Sequence, residues 1–265
     1  MHTDTTAVLD AYESLEGGIR RVFRAVGALP LEWTSADITA AACAIDPGTA
    51  AWALEVLLEQ HLVAEEPPTA VPRYRLSAPA RACAEQLCAS ADVTPALRRL
   101  AYWAFWCAIS TRSPRPVRRG GAAQALGGWL PPELEDDPAG WVRDHRVHLV
   151  PLVRALAECG WDRRVVRIVE AWRPLLDPRD PDGVGAVHRL ALDTARHGGD
   201  RHLVRRALLS GAAAWTAAGA HDDAAVWAGE ALETARLAGD VPGEAQALKV
   251  LMENGLARAA RQVCR

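Results

Sequence analysis

Ten residues near the carboxyl end, Ala191-Leu-Asp-Thr-Ala-Arg-His-Gly-Gly-Asp200, return forty positions later as Ala231-Leu-Glu-Thr-Ala-Arg-Leu-Ala-Gly-Asp240. Seven of the ten positions are identical. Self-similarity at a fixed period marks a supersecondary unit that cannot bury its apolar face alone and must stack on its neighbours. Arrays of this kind present surfaces, so binding is expected before chemistry.

From Trp141 onward the apolar spacing predicts six helices, at about 139–159, 162–176, 183–198, 201–218, 222–238 and 241–260. Val204, Leu208, Gly211 and Trp215 form one stripe, and Ala224, Trp227, Ala228, Ala231 and Ala235 form another. Gly219, Gly239 and Gly255 are expected at helix ends as left-handed caps. Pro151 and Pro174 are expected to kink or split two of the helices. Against a tetratricopeptide pattern, Ala212, Ala224 and Ala231 match the small sites and Trp215 the aromatic one. The period of 40 exceeds the usual ~34, which points to longer, degenerate helical pairs.

The amino-terminal part reads differently. Val8, Tyr12, Leu15, Ile19, Val22, Phe23 and Val26 give one helical pattern from Ala7 to Val26. Ser35 or Asp37 can cap a short second helix, and Asp46-Pro47 is a strong start signal for a third that carries Trp52, Leu54, Val56, Leu57 and Leu58. Residues 62–65 and 73–76 then suggest a hairpin around Pro67-Pro68. Two helices follow, from Pro79 to Cys88 and from Pro95 to Ser110. Residues 111–140 are rich in proline and glycine, basic at Arg112, Arg115, Arg118 and Arg119, and acidic at Glu133, Glu135, Asp136 and Asp137. They read as a surface linker on which Trp129 and Leu130 can dock. The fold expected is all-α. A winged-helix domain with a small β-wing covers 1–92, a connecting helix and Pro/Gly-rich linker covers 93–138, and a tetratricopeptide-like superhelix covers 139–265.

Composition narrows the classes. Half the residues are apolar, yet no apolar run approaches the ~20 residues of a membrane span, and the start lacks a signal-peptide layout. A cytoplasmic protein without membrane contact is expected. The cysteines at 43, 83, 88, 107, 159 and 264 form no Cys-x-x-Cys pair, so they read as reduced and mostly buried. Residues 1–92 carry six arginines against thirteen acidic residues, which disfavours a polyanion partner there. The third helix, Gly48 to Gln60, has no basic residue to reach a base edge or phosphate, and nucleic-acid binding is not expected.

The stretches at 15–30 (LEGGIRRVFRAVGALP), 53–66 (ALEVLLEQHLVAEE), 73–86 (RYRLSAPARACAEQ) and 137–156 (DPAGWVRDHRVHLVPLVRAL), together with the repeats, resemble the C-terminal half of actinobacterial NB-ARC regulators. These are ATPases of the STAND type that control antibiotic production and related pathways. The resemblance implies a freestanding sensor or docking arm. Two departures accompany it. No Gly-x-x-x-x-Gly-Lys-Ser/Thr loop is present to cradle phosphates, and Ser77-Ala78 stand where the family usually has a His-Asp pair just after the wing. ATP hydrolysis is therefore not implied.

Four sets of residues are candidates for function. The first is the tryptophans, with Trp172, Trp215 and Trp227 either filling the core between Ala-lined repeats or walling a groove for a peptide or apolar molecule. The second is the arginines 163, 164, 167, 196, 201, 205 and 206, with Arg201 and Arg205 one turn apart; they form either a solvated, locally paired face or a binder of acidic segments. The third is His145 and His148, three apart beside Asp144, with no third metal ligand identifiable. The fourth is His188, His197, His202 and His221, expected near helix ends. The expected role is non-enzymatic: a regulatory or scaffold protein that binds a protein partner through its repeat groove, in transcriptional control of secondary metabolism by the resemblance. No catalytic residue, metal or cofactor is assigned. The alternative is a small-molecule receptor or biosynthetic enzyme with an aromatic-lined cavity, in which His145, His148 or His188 supplies acid–base function.

Overall fold

The computed structural model describes residues 2–67, 71–88, 90–111 and 130–263. Among them the chain is mostly helical, with fourteen helices and a two-stranded sheet. It divides into two compact units, Met1–Trp141 and Val142–Arg265.

In the first unit the expected helix from Ala7 to Val26 is two helices, α1 (His2–Ser14) and α2 (Gly17–Ala28). The break has a local cause. Leu15 turns into the core, and the Arg20 guanidinium donates to the carbonyls of Leu15 and Glu13 at 2.7 and 2.8 Å, closing the end of α1. α3 (Ala36–Cys43) is capped by Ser35, whose Oγ accepts from the Ile38 amide, and α4 (Pro47–Glu59) by Asp46, with Pro47 in its first turn. Phe23, Ile38, Leu54 and Leu57 fill the core between these helices.

β1 (Val63–Glu65) pairs antiparallel with β2 (Tyr74–Leu76) in the register Val63↔Leu76. Thr34 and Tyr74 exchange two backbone hydrogen bonds of 2.8 Å, so the segment before α3 lies along the outer edge of β2. The tip at Pro67-Pro68 falls partly outside the described residues. α5 (Ala78–Leu87) crosses α2 so closely that a Cβ on Gly27 would overlap Ala84. α6 (Ser90–Ser110) begins a turn earlier than expected and contains Pro95. Most of the expected linker, including Arg112, Arg115, Arg118, Arg119 and Trp129, lies outside the described residues. Its acidic end is helical: α7 (Glu133–Asp136) buries Leu134, and α8 (Pro138–His145) follows at once.

Asp37, in the first turn of α3, is half-buried, and burial together with the charge of Glu133 pushes its carboxyl up to about 6. Because the folded chain holds this proton more tightly than the unfolded one, stability is highest below the unfolded value and falls as pH rises through about 6. Replacing Asp37 by Asn is expected to stabilise the protein at pH 7.5 by about 1–2 kcal/mol after solvent screening, with no gain near pH 4. Urea unfolding at the two pH values checks this, and an equal gain at both would refute the assignment.

The second unit is a run of helices joined by short turns: α9 (Leu149–Glu158), α10 (Asp162–Trp172), α11 (Pro181–His197), α12 (Arg201–Ala217), α13 (His221–Ala238) and α14 (Val241–Val263). The expected helix at 139–159 is interrupted by a 3₁₀ turn, Arg146–His148. The cause is Pro151, which offers no N–H to the Val147 carbonyl and crowds it. A second 3₁₀ turn, Arg173–Leu175, surrounds Pro174. From α9 onward each helix packs on the next, and α9 also touches α11, α10 touches α12, and α12 touches α14.

The repeated ten residues are the end of one helix, a turn and the cap of the next. Gly199 and Gly239 both have positive φ, 70° and 64°. Asp200 then accepts from the amides of His202 and Leu203, and Asp240 from that of Gly243. Gly219 also takes the expected left-handed turn, at φ 74°. Gly255 does not end a helix, since α14 continues through it to Val263.

Small residues let the hairpins approach closely. A Cβ on Gly185 of α11 would collide with the Trp215 ring of α12, and one on Gly211 of α12 with the Trp227 ring of α13. Ala207, Leu208, Ala231 and Ala247 complete the core around these contacts. Fully buried Asn254 of α14 ties three helices together: its Nδ2 donates to Thr216 Oγ1 of α12 at 2.8 Å, and its Oδ1 lies 2.6 Å from His221 Nδ1 of α13.

Candidate functional site

Most of the arginine face is occupied by pairing between helices. Arg205 meets Asp240 at 2.5 Å with both side chains largely buried, so it holds α12 against the cap of α14. Arg206 pairs with Glu170 and Arg196 with Glu230, the latter at 2.6 Å. Arg201 remains exposed in the first turn of α12. The locally paired reading therefore describes Arg196, Arg205 and Arg206.

Arg163, Arg164 and Arg167 lie on another helix. They share the outward side of α10, opposite the buried Val165, Val166, Ile168 and Val169. Together with Trp161, Asp162, Gly198 and Asp200 they line an open cleft of about 610 Å³. Arg164 lies over the Trp161 ring, 4.8 Å from its centroid. Arg163, 81% exposed, reaches Asp200 at only 3.4 Å. The N-termini of α10 and α12 both open at this cleft, adding partial positive charge to three guanidiniums that face two carboxylates. Sequence reasoning placed these arginines on a face but missed Trp161, the first-turn Asp162 and the capping Asp200 as their companions. The visible signal was the pair of glycine turns, Gly160 and Gly198-Gly199, which lie 38 residues apart and open beside one another.

The tryptophans take the core option. Trp172 and Trp215 are buried, and Trp227 is half-buried against Gly211 with its ring edge-on to Trp215 at 6.4 Å. Near them a smaller pocket of about 270 Å³ is lined by Arg173, Pro174, Leu176, Val184 and three alanines of α12. Arg173 is the one titratable group among these lining residues.

The histidines do not converge. His145 ends α8 and His148 sits buried in the 3₁₀ turn, with ring centroids 6.2 Å apart and edge-on. His188 was expected near a helix end, but it lies in the middle of α11 at 1% exposure. Burial, and then the charge of Arg173, depress it to about 3, so the ring is neutral near pH 7. Neither of its ring nitrogens has a hydrogen-bond partner among the described residues. His197 does sit at a helix end, 2.7 Å from the Asp193 carbonyl. No group of three or more His, Cys, Asp or Glu among the described residues is placed to hold a metal ion.

Among the described residues of the first unit, α4 presents no basic side chain to a phosphate backbone. The outward side of α4 shows Trp52, Glu55 and Glu59. Arg81 donates to the carbonyls of Gly27, Leu29 and Leu31, Arg99 to that of Ala42, and Arg75 pairs with Glu66 and Glu32. Burial raises the Cys43 thiol to about 11 and holds Cys107 well above its ordinary value, so neither is a ready thiolate. No single helix among the described residues is long and apolar enough to cross a membrane.

A scan against protein-family models matched none, and comparison with curated proteins and with solved structures likewise returned no match.

Proposed function

We propose that the protein is a non-enzymatic regulatory or scaffold module that captures a protein partner on its helical hairpins, with an acidic segment of that partner seated in the arginine cleft. The observation that carries this reading is the cleft itself. Three outward guanidiniums and two helix N-termini share one open depression of about 610 Å³, a size that suits a peptide segment. In this reading the second unit is a tetratricopeptide-like superhelix and the first a winged-helix packing module, the order found in the C-terminal halves of NB-ARC regulators. Transcriptional control of secondary metabolism is then the process served, in the cytoplasm.

The cavity reading draws less support. The smaller pocket carries one charged group, Arg173, and the buried ring of His188 is neutral near pH 7.

The test is direct binding of the full chain to fluorescent peptides, one rich in Asp and Glu and one with the charges reversed. The acidic peptide is expected to bind, more weakly as salt rises, and to lose about tenfold or more in affinity with Arg163→Ala/Arg164→Ala/Arg167→Ala. Equal binding of both peptides, or a triple variant that binds as well as the parent, would overturn the reading.

A further inference from the structure

The last helix of the described chain has two opposite faces of unequal fate. Gly243, Ala247, Val250 and Asn254 of α14 are buried against α12 and α13. On the other side Val241, Leu248, Met252 and Leu256 are 73, 42, 67 and 69% exposed, with Ala245 between them. At 100° per residue these five fall on one apolar stripe, ~24 Å long over sixteen residues.

The forty-residue register shows what such a stripe is built for. Positions 248 and 252 correspond to Leu208 and Ala212 of α12, which are 0% exposed because the next hairpin lies over them. The inner positions 243, 247, 250 and 254 correspond to Leu203, Ala207, Ser210 and Ala214, which are also buried. At positions 208 and 212 α12 is covered, whereas positions 248 and 252 on α14 are open and lie in line with Val241, Ala245 and Leu256, where α12 has Arg201, Arg205 and Thr216.

The charges flanking the stripe select the occupant. Lys249 is the only lysine in the chain, and it sits beside Leu248 on the same flank as Glu253. The two are exposed and 3.9 Å apart within the helix. In an antiparallel pair of identical helices related by a two-fold axis, same-side flanks meet. A register that sets Leu248 against Met252 of the other copy brings Ala245 to within one residue of facing Leu256, and Lys249 to within two residues, ~3 Å along the axis, of facing Glu253, a span that two long side chains bridge. The apolar layers and both ion pairs close together, as a self-complementary surface requires.

We propose that α14 is a self-association surface, on which a second copy of this chain docks its own α14 antiparallel, Leu248 on Met252 and Lys249 on Glu253. A single helix pair of this length lies at the small end of stable interfaces, so association in the micromolar range is expected. This inference is independent of the arginine cleft.

Sedimentation velocity on the full chain from about 1 to about 100 µM tests it. The parent is expected to pass from monomer to dimer, and Leu248→Glu/Met252→Glu to stay monomeric with the melting temperature of the parent at monomer concentrations, since both side chains are exposed. Lys249→Glu is expected to weaken association about tenfold, and Lys249→Glu/Glu253→Lys to restore it to within about threefold. A parent that stays monomeric throughout would overturn the proposal and leave the face to a different protein. So would a dimer indifferent to Leu248→Glu/Met252→Glu, or a charge reversal that fails to restore association.

Discussion

Replacing His188 by leucine is expected to remove much of the acid sensitivity of the helical-hairpin unit. The imidazole is buried in the middle of α11 and held near 3 by burial and then by the charge of Arg173, whereas an unfolded chain protonates it near 6.5. Between those values the unfolded state binds a proton that the folded state does not. Stability is therefore complete above about 6.5 and is lost as pH falls toward 3. At pH 4.5 the loss is on the order of 2–3 kcal/mol, from about two pH units at 1.36 kcal/mol each. The variant escapes it. At pH 7.5 it also relieves a buried ring whose nitrogens have no hydrogen-bond partner among the described residues, which is expected to add about 1 kcal/mol. Denaturant unfolding of parent and variant at pH 7.5 and 4.5 checks this. The stability difference must widen in acid, and parallel losses in the two proteins would exclude His188 as the sensor.

A second large effect concerns the glycine that accepts Trp227. In the interior of a helix, Gly→Ala ordinarily gains about 1 kcal/mol by limiting the unfolded backbone. At position 211 the added methyl would overlap carbons of the Trp227 ring, which is already set edge-on against Trp215. Gly211→Ala is therefore expected to lose about 1–3 kcal/mol, reversing the usual sign. In a thermodynamic cycle with Trp227→Leu, the double variant should cost at least 1 kcal/mol less than the sum of the single variants, because the smaller side chain vacates the space the methyl needs. If Gly211→Ala melts above the parent, the hairpin is looser than this packing implies.

Much of the fold was legible because its signals are local. Asp46-Pro47, Ser35 and the glycine turns at 199, 219 and 239 each act within a few residues of themselves, and each sits where its backbone chemistry requires. One break was missed, and one helix end was expected where none exists. The end of α1 depends on Arg20 reaching back to carbonyls five and seven residues away, which no apolar pattern records. Gly255 looked like a helix end because glycine so often is one, yet buried Asn254 and Val250 hold α14 to its neighbours on both sides of that position. The candidate site was half legible. The arginines were visible as a face, but which of them are engaged depends on acidic residues 34 to 37 positions away, as in Arg196–Glu230, Arg163–Asp200 and Arg206–Glu170.

The amino-acid order by itself determined the helical class, the hairpin period, the caps and the concentration of acid in the first ninety residues, because propensity, capping and charge act over a turn or two of chain. Only the tertiary structure decided that Trp172 and Trp215 are core, that Arg205 is locked to Asp240, that His188 is sealed from water, and that one side of α14 stays open. Burial and pairing are properties of whichever distant segments fold into contact, and no residue carries that information alone.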